Sequence, residues 1–352
     1  MTFLYTAARS ALFCLDAEHA HELTLATFKK FPRLSTAPFA GNAVDDPVTL
    51  MGLRFANRVG LAAGLDKNGD CLEAWSRLGF GFVEIGTVTP RPQPGNPRPR
   101  MFRLPRSRAL INRLGFNNKG VDYLLARVRA ANFRGVLGIN IGKNFDTPNE
   151  RAADDYLACL RKVYATASYV TINVSSPNTS ALRELQDEEP LRKLLTLLVA
   201  EGRRLSDAQS KRTPLLVKIA PDLGDEQIAH IASVTRETGV DGLIATNTTV
   251  SRDGVEGDAS AAETGGLSGA PLRARAEEVL KKLRGHLGRD FPLIGVGGVM
   301  TAADAGARIG AGADLVQIYT GFIYRGPQLV TECARALGSQ AVRGVAGGGG
   351  FQ

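Results

Sequence analysis

Cysteine and histidine are scarce in this chain, four of each in 352 residues. Cys14, Cys71, Cys159 and Cys333 lie far apart and form no Cys-x-x-Cys pair. That spacing argues against a disulfide framework or a structural zinc and fits a reducing compartment. His19 and His21 are the only close histidines, and no His/Cys/carboxylate cluster has metal-ligand spacing, so no metal is expected. No apolar run approaches the ~18–20 residues that cross a bilayer. The first residues also lack the basic start and cleavage site of a secretory signal. No basic run with interleaved aromatics is present, so nucleic acid is not an expected partner.

What the chain has is an excess of Lys and Arg, 43 against 35 Asp and Glu, giving a net charge of +8. Such a balance suits an anionic ligand, nucleic acid or an anionic membrane surface and does not choose among them. The hydrophobic content of 44% is enough for one large core. An α/β barrel takes about 250 residues, which leaves an excess to place.

Part of that excess is residues 1–40. Leu4, Ala8, Ala11, Leu12 and Leu15 recur at helical spacing. Asp16 is placed to cap a second helix, along which Ala20, Leu23, Thr27 and Phe28 share a face. Lys29, Lys30 and Arg33 follow, and Phe31-Pro32 should stop the helix. The pair reads either as a lid packed on the main domain, which periodicity favours, or as an amphipathic anchor in a membrane interface.

From residue 48 the pattern changes. Residues 48–56 alternate around Gly52 like a small hairpin. Short apolar runs then follow at 59–63, 82–86, 136–140, 169–174, 215–219, 242–246, 293–296 and 315–319, most of them separated by helix-like segments. Alternating strand and helix implies parallel strands, and eight units imply a closed (β/α)8 barrel over residues 41–340. An open doubly wound sheet is the alternative. Residues 341–352 end in glycine and read as a disordered tail.

The strand ends carry the polar residues, and active sites of such folds lie at those ends. The stretch 169–179 begins as a buried strand and breaks at Pro177 into Ser, Asn and Thr. Asn173 sits inside its apolar run, where an amide without partners costs roughly 1–3 kcal/mol. Lys218 lies within the fifth strand, where an interior Lys must face the mouth or be paired. A connection rich in Pro and Arg, residues 91–106, reaches Asn112. Gly297-Gly298 and Thr320-Gly321, after strands seven and eight, occupy the usual barrel phosphate position.

Four motifs occur together and in order: Ala63-Gly64-Leu65-Asp66-Lys67, Asn112-Arg113-Leu114-Gly115-Phe116, Asn173-Val174-Ser175-Ser176-Pro177-Asn178 and Ile294-Gly295-Val296-Gly297-Gly298. Jointly they resemble the dihydroorotate dehydrogenases over nearly the whole chain. Ser176, where the soluble class usually has Cys, and the helical extension resemble the membrane-associated, quinone-reducing class. The resemblance implies FMN, one per chain, and oxidation of dihydroorotate to orotate in pyrimidine biosynthesis. By position it implies cofactor contacts from Ala63, Gly64, Leu65, Asp66, Lys67, Thr87, Asn140, Asn173, Lys218, Thr246, Gly269, Gly298, Tyr319 and Thr320. It implies substrate contacts from Lys67, Asn112, Arg113, Leu114, Gly115, Phe116, Asn173, Asn178, Asn247 and Thr248.

Ser176 is then the base, with Thr179 and Phe116 along a proton relay. His21, Arg103 and Tyr319 line a path for ubiquinone or menaquinone. The expectation is a monomer in peripheral contact, through residues 1–40, with the cytoplasmic face of a bacterial inner membrane. The alternatives are a soluble-class enzyme using fumarate or NAD, an FMN barrel acting on RNA, and a non-catalytic nucleotide-binding barrel.

Overall fold

Alternation within each apolar run decides the architecture. In the strand Leu215–Ile219, Leu215, Val217 and Ile219 join the cluster shared with the outer helices, whereas Leu216 joins a separate inner cluster. Lys218 lies on the inner side with Leu216, as the two-residue period of a strand requires. Both faces of the sheet are therefore covered.

The computed structural model describes residues 2–41, 43–179 and 181–346. Its barrel strands are Val59–Leu61, Phe82–Val88, Val136–Ile141, Tyr169–Asn173, Leu215–Ile219, Gly242–Ala245, Leu293–Val296 and Leu315–Ile318. All neighbours are parallel and follow chain order, and the eighth closes on the first with Val316 opposite Val59. The fold is the (β/α)8 barrel, not the open sheet.

The expected hairpin forms from Val48–Leu50 and Leu53–Phe55. Met51 and Gly52 both take positive φ at its turn, 55° and 77°. This hairpin plugs the lower end of the barrel. Phe55 is fully buried and meets Phe82 edge to face at 5.2 Å, in a cluster with Leu216, Ile244 and Ile294.

The upper end carries a sheet that the sequence reading missed. Met101–Leu104 and Ala109–Asn112 form an antiparallel pair, and Gly266–Gly269 adds to it across the mouth. The connection read as open chain at 91–106 thus runs into a strand. Its partner Ala109–Asn112 follows it directly as a hairpin, but the third strand, Gly266–Gly269, lies far along the chain, where local pattern does not reveal it.

The extension forms helices Thr2–Phe13 and Ala17–Lys30 and a short third, Pro32–Thr36. Asp16 caps the second, accepting from Glu18 N at 2.9 Å and His19 N at 3.0 Å. Phe31 ends it as expected, but Pro32 opens the third helix, because Pro suits a first turn. The extension is tied down largely by polar anchors. Tyr5 donates to Ile323 O at 2.7 Å, Arg9 to Tyr324 O at 2.7 Å, and Arg103 to Phe13 O at 2.7 Å and to Leu15 O. Arg103 thereby caps the carboxyl end of the first helix. The last helix, Pro327–Ala346, runs past the boundary expected at 341, so residues 341–346 are helical. The rest of the expected tail lies outside the described residues.

Truncating the plug, Phe55→Ala, leaves a void in a closed floor. It should cost about 3–5 kcal/mol, read as a fall in the denaturant midpoint with an unchanged slope.

Candidate active site

The upper half of the barrel interior is polar because the inward positions change character one step above the apolar floor. Glu84, on the second strand, is fully buried there. It accepts from Asn140 Nδ2 at 2.8 Å, Tyr169 OH at 2.9 Å and Gln317 Nε2 at 2.7 Å, three donors on three other strands. A second chain of contacts rises from this node. Asn140 Oδ1 accepts from Thr87 at 2.6 Å, and Thr87 Oγ1 accepts from Asn173 Nδ2 at 2.9 Å. Asn173 Oδ1 in turn accepts from Ser175 Oγ at 3.1 Å, and Ser175 Oγ accepts from Asn247 Nδ2 at 2.9 Å. The buried amide flagged in the sequence is therefore held through both its oxygen and its nitrogen.

Above this network lies a cavity at the barrel mouth. Lys67, Asn112, Leu114, Gly115, Phe116, Asn173, Ser176, Asn178, Asn247 and Thr248 converge on it. Asn178 donates to Asn112 across it at 3.2 Å, and Ser176 Oγ accepts from Asn178 N at 3.2 Å. Thr179 Oγ1, close in sequence to that serine, is buried without a partner among the described residues. Ala63, Gly64, Thr87, Lys218, Thr246, Gly269, Gly298, Tyr319 and Thr320 form the remaining walls.

Four expected contacts fall elsewhere. Asp66 turns away to accept from Asp70 N at 2.9 Å, Cys71 N at 2.9 Å and Trp75 Nε1 at 3.0 Å. Its side chain holds the chain after the first strand. Arg113 points outward to Glu263 at 2.7 Å and over the Phe102 ring. Asn140 sits below the cavity in the Glu84 network. Leu65 lines a different cavity. Arg183, missed in the sequence, ties two rim loops together through Ser175 O at 3.1 Å and Thr248 O at 2.8 Å.

Two features of the cavity ask for a bound group. Lys218 Nζ has no hydrogen-bond or ion-pair partner among the described residues. Burial pushes its pKa down, against the opposing pull of Glu84. Gln317 Oε1 is also buried and has no partner among the described residues. Opposite them, Gly297 and Gly298 take φ of 114° and 71° beside Thr320. A side chain on Gly298 would stand 2.4 Å from Arg273 Cα, so that loop keeps its place against the neighbouring helix, and the cradle its shape, only with glycine there.

A second cavity of about 540 Å³ lies between the extension and the barrel. Leu12, Phe13, Ala20, Phe28, Trp75 and Phe322 make it mainly apolar, and His21 and Arg103 reach it. Tyr319 borders both cavities. Burial, then the charge of Lys67, pushes the His21 pKa down to about 3, so the ring is neutral.

A family model described as dihydroorotate dehydrogenase matches residues 47–340. The chain belongs to the dihydroorotate dehydrogenase family. Curated relatives named dihydroorotate dehydrogenase (quinone) include one from Aromatoleum aromaticum, 58% identical over 333 residues, 95% of this chain and 95% of the relative. Another, from Azotobacter vinelandii, is 56% identical over 342 residues, 97% of this chain and 98% of the relative. A crystal structure described as DHODH in complex with ferulenol, from Eimeria tenella, superposes with a TM-score of 0.86 at 40% identity. It covers 94% of this chain and 93% of that one. The family is flavin-dependent, and the unpartnered Lys218 and the glycine cradle fit a flavin nucleotide.

Closing the cradle tests that fit. Gly298→Val forces a strained contact of about 1–3 kcal/mol. The purified protein should hold flavin roughly tenfold or more weakly, read from the flavin absorbance per chain, with the helix content unchanged.

Proposed function

We propose that this chain oxidises (S)-dihydroorotate to orotate, with FMN held in the barrel mouth and a membrane quinone as the final acceptor. The carrying observation is the pairing of two cavities on either side of Tyr319, one ringed by amides and a lysine, the other apolar. The first matches a planar anion with mixed donors and acceptors at its edge, and the second matches a lipid-soluble head group. The names of the quinone-class relatives support the same reading over a soluble-class enzyme.

Asn112, Asn173, Asn178 and Asn247 both donate and accept, as an imide edge requires. Lys67 supplies the positive charge for the carboxylate. Bound FMN supplies the hydride acceptor. Lys218 would be the counter-charge for the flavin ring, and Gly298 and Thr320 would hold its phosphate. Ser176 takes the ring proton as its own hydroxyl proton passes to Thr179, whose hydroxyl lacks a partner among the described residues, and from there to water.

Six of the nine exposed large apolar side chains among the described residues lie in the extension: Phe3, Leu4, Leu15, Leu23, Phe31 and Leu34. That concentration supports peripheral contact with the inner membrane at its cytoplasmic face. No helix among the described residues is long and apolar enough to cross a membrane. The basic residues contribute less than their number suggests. Lys29 pairs with Asp70 at 2.8 Å and Arg33 with Glu73 at 3.2 Å, and Lys30 lies over the Phe31 ring.

Anaerobic stopped-flow mixing tests the reading. Dihydroorotate should bleach the flavin, and a short-chain quinone should restore its colour where fumarate and NAD do not. Restoration by fumarate or NAD would overturn the quinone assignment, and absence of bleaching would overturn the substrate. In the same assay Ser176→Ala should slow bleaching at neutral pH by about 10²–10⁴-fold without loss of bound flavin.

A further inference from the structure

A buried ion pair joins the extension to the segment that precedes the small upper sheet. Glu18, on the second helix of the extension, is 4% exposed, and Arg100, before the small upper sheet, is 6% exposed. Arg100 Nε meets Glu18 Oε1 at 3.0 Å and Oε2 at 3.1 Å, and Nη2 meets Oε1 at 2.8 Å. Arg98 adds an outer contact to Glu18 Oε1 at 3.2 Å.

The remaining donor of Arg100 faces the substrate side. Its Nη1 donates to Pro94 O at 2.6 Å and Asn96 O at 2.7 Å, which curls residues 94–96 around the guanidinium. That curl is what the substrate loop rests on. Asn96 N donates to Leu114 O at 3.2 Å, and Asn96 Nδ2 donates to Arg113 O at 2.8 Å and Asn178 O at 3.2 Å. Arg113 N donates to Arg100 O at 2.8 Å. A side chain on Gly95 would stand 2.1 Å from Leu114 O, so the two segments are in close contact.

We propose that Glu18 and Arg100 form a positioning pair through which the N-terminal extension sets both the shape and the charge of the dihydroorotate pocket. The extension then does more than wall an apolar cavity. Through one carboxylate it fixes the loop that presents Asn112 and Gly115 and braces the separate loop that carries Asn178. The inference rests on the assignment of Lys67 and that loop to the substrate.

The charge component gives the proposal a sign. Lys67 is held down to about 8, first by burial, then by the Arg100 charge, against the opposing charges of Glu18 and Asp66. His21, on the same side, is neutral. Lys67 is therefore cationic below about pH 8 and loses its charge as pH rises through that value. Glu18→Gln removes one of the groups that keep it charged, so the limb at which an anion is lost moves to lower pH. Removing Arg100 as well takes away the larger, opposing influence and moves the limb back up. The double variant also avoids leaving one buried charge alone.

The test is titration of flavin-loaded protein with orotate from pH 6 to 10, read by the flavin absorbance change. Wild type, Glu18→Gln, the Glu18→Gln/Arg100→Gln double variant and Lys67→Met are compared. The expected single-variant limb lies about one pH unit below wild type, which weakens binding about tenfold on its alkaline side. The double variant returns to the wild-type limb or above it. A single variant with the wild-type limb overturns the proposal. So does a double variant displaced further down, because that is damage to the loop without charge coupling. A Lys67→Met protein that binds orotate as tightly as wild type removes the site assignment, and the proposal falls with it.

Discussion

The interior of a closed barrel offers no water to a polar group, so any carboxyl placed there must be satisfied by the strands themselves. Glu84 meets that constraint with donors from strands three, four and eight. The consequences spread upward. Asn140 is turned so that its oxygen receives Thr87, Thr87 receives Asn173, and Asn173 organises Ser175 and Asn247. The rim of the pocket is thus fixed from below by one buried group. The apolar floor below Glu84, plugged by Phe55, keeps water from reaching the node from the other end.

Much of this was legible in the chain. Short apolar runs such as Leu215–Ile219 identified both the core and the one lysine that breaks this run. Asn173 stood out because it interrupts an apolar run, and Ser176 through its place in a family motif. Asp16 and Phe31 bounded a helix by local chemistry alone, and the structure keeps both boundaries. These signals are local, and local signals survive in a sequence.

What stayed hidden depends on partners far along the chain. Glu84 in an apolar strand carries no mark of its three distant donors. The strand Gly266–Gly269 looks like a glycine loop until it pairs with Ala109–Asn112. Asp66 sits in a motif beside Lys67, yet its side chain serves Trp75 and the turn beneath it, which only the direction of the side chain reveals. Arg103 was expected on a ligand path and does reach the apolar cavity. Its hydrogen bonds, however, go to the carbonyls that end the first helix. Arg100 and Glu18 were passed over for the same reason, since neither has a sequence neighbour that explains its burial.

The apolar cavity also has a thermodynamic side. Its walls of Leu12, Phe13, Phe28 and Phe322 face one another across open space instead of packing together, so dispersion contacts are forgone. Whatever occupies that space and leaves the unfolded chain alone adds to the folding free energy by mass action. The melting temperature is then a property of the surroundings as much as of the chain. Detergent, lipid or a bound ring compound each sets a different value, and protein stripped of them is the least stable form.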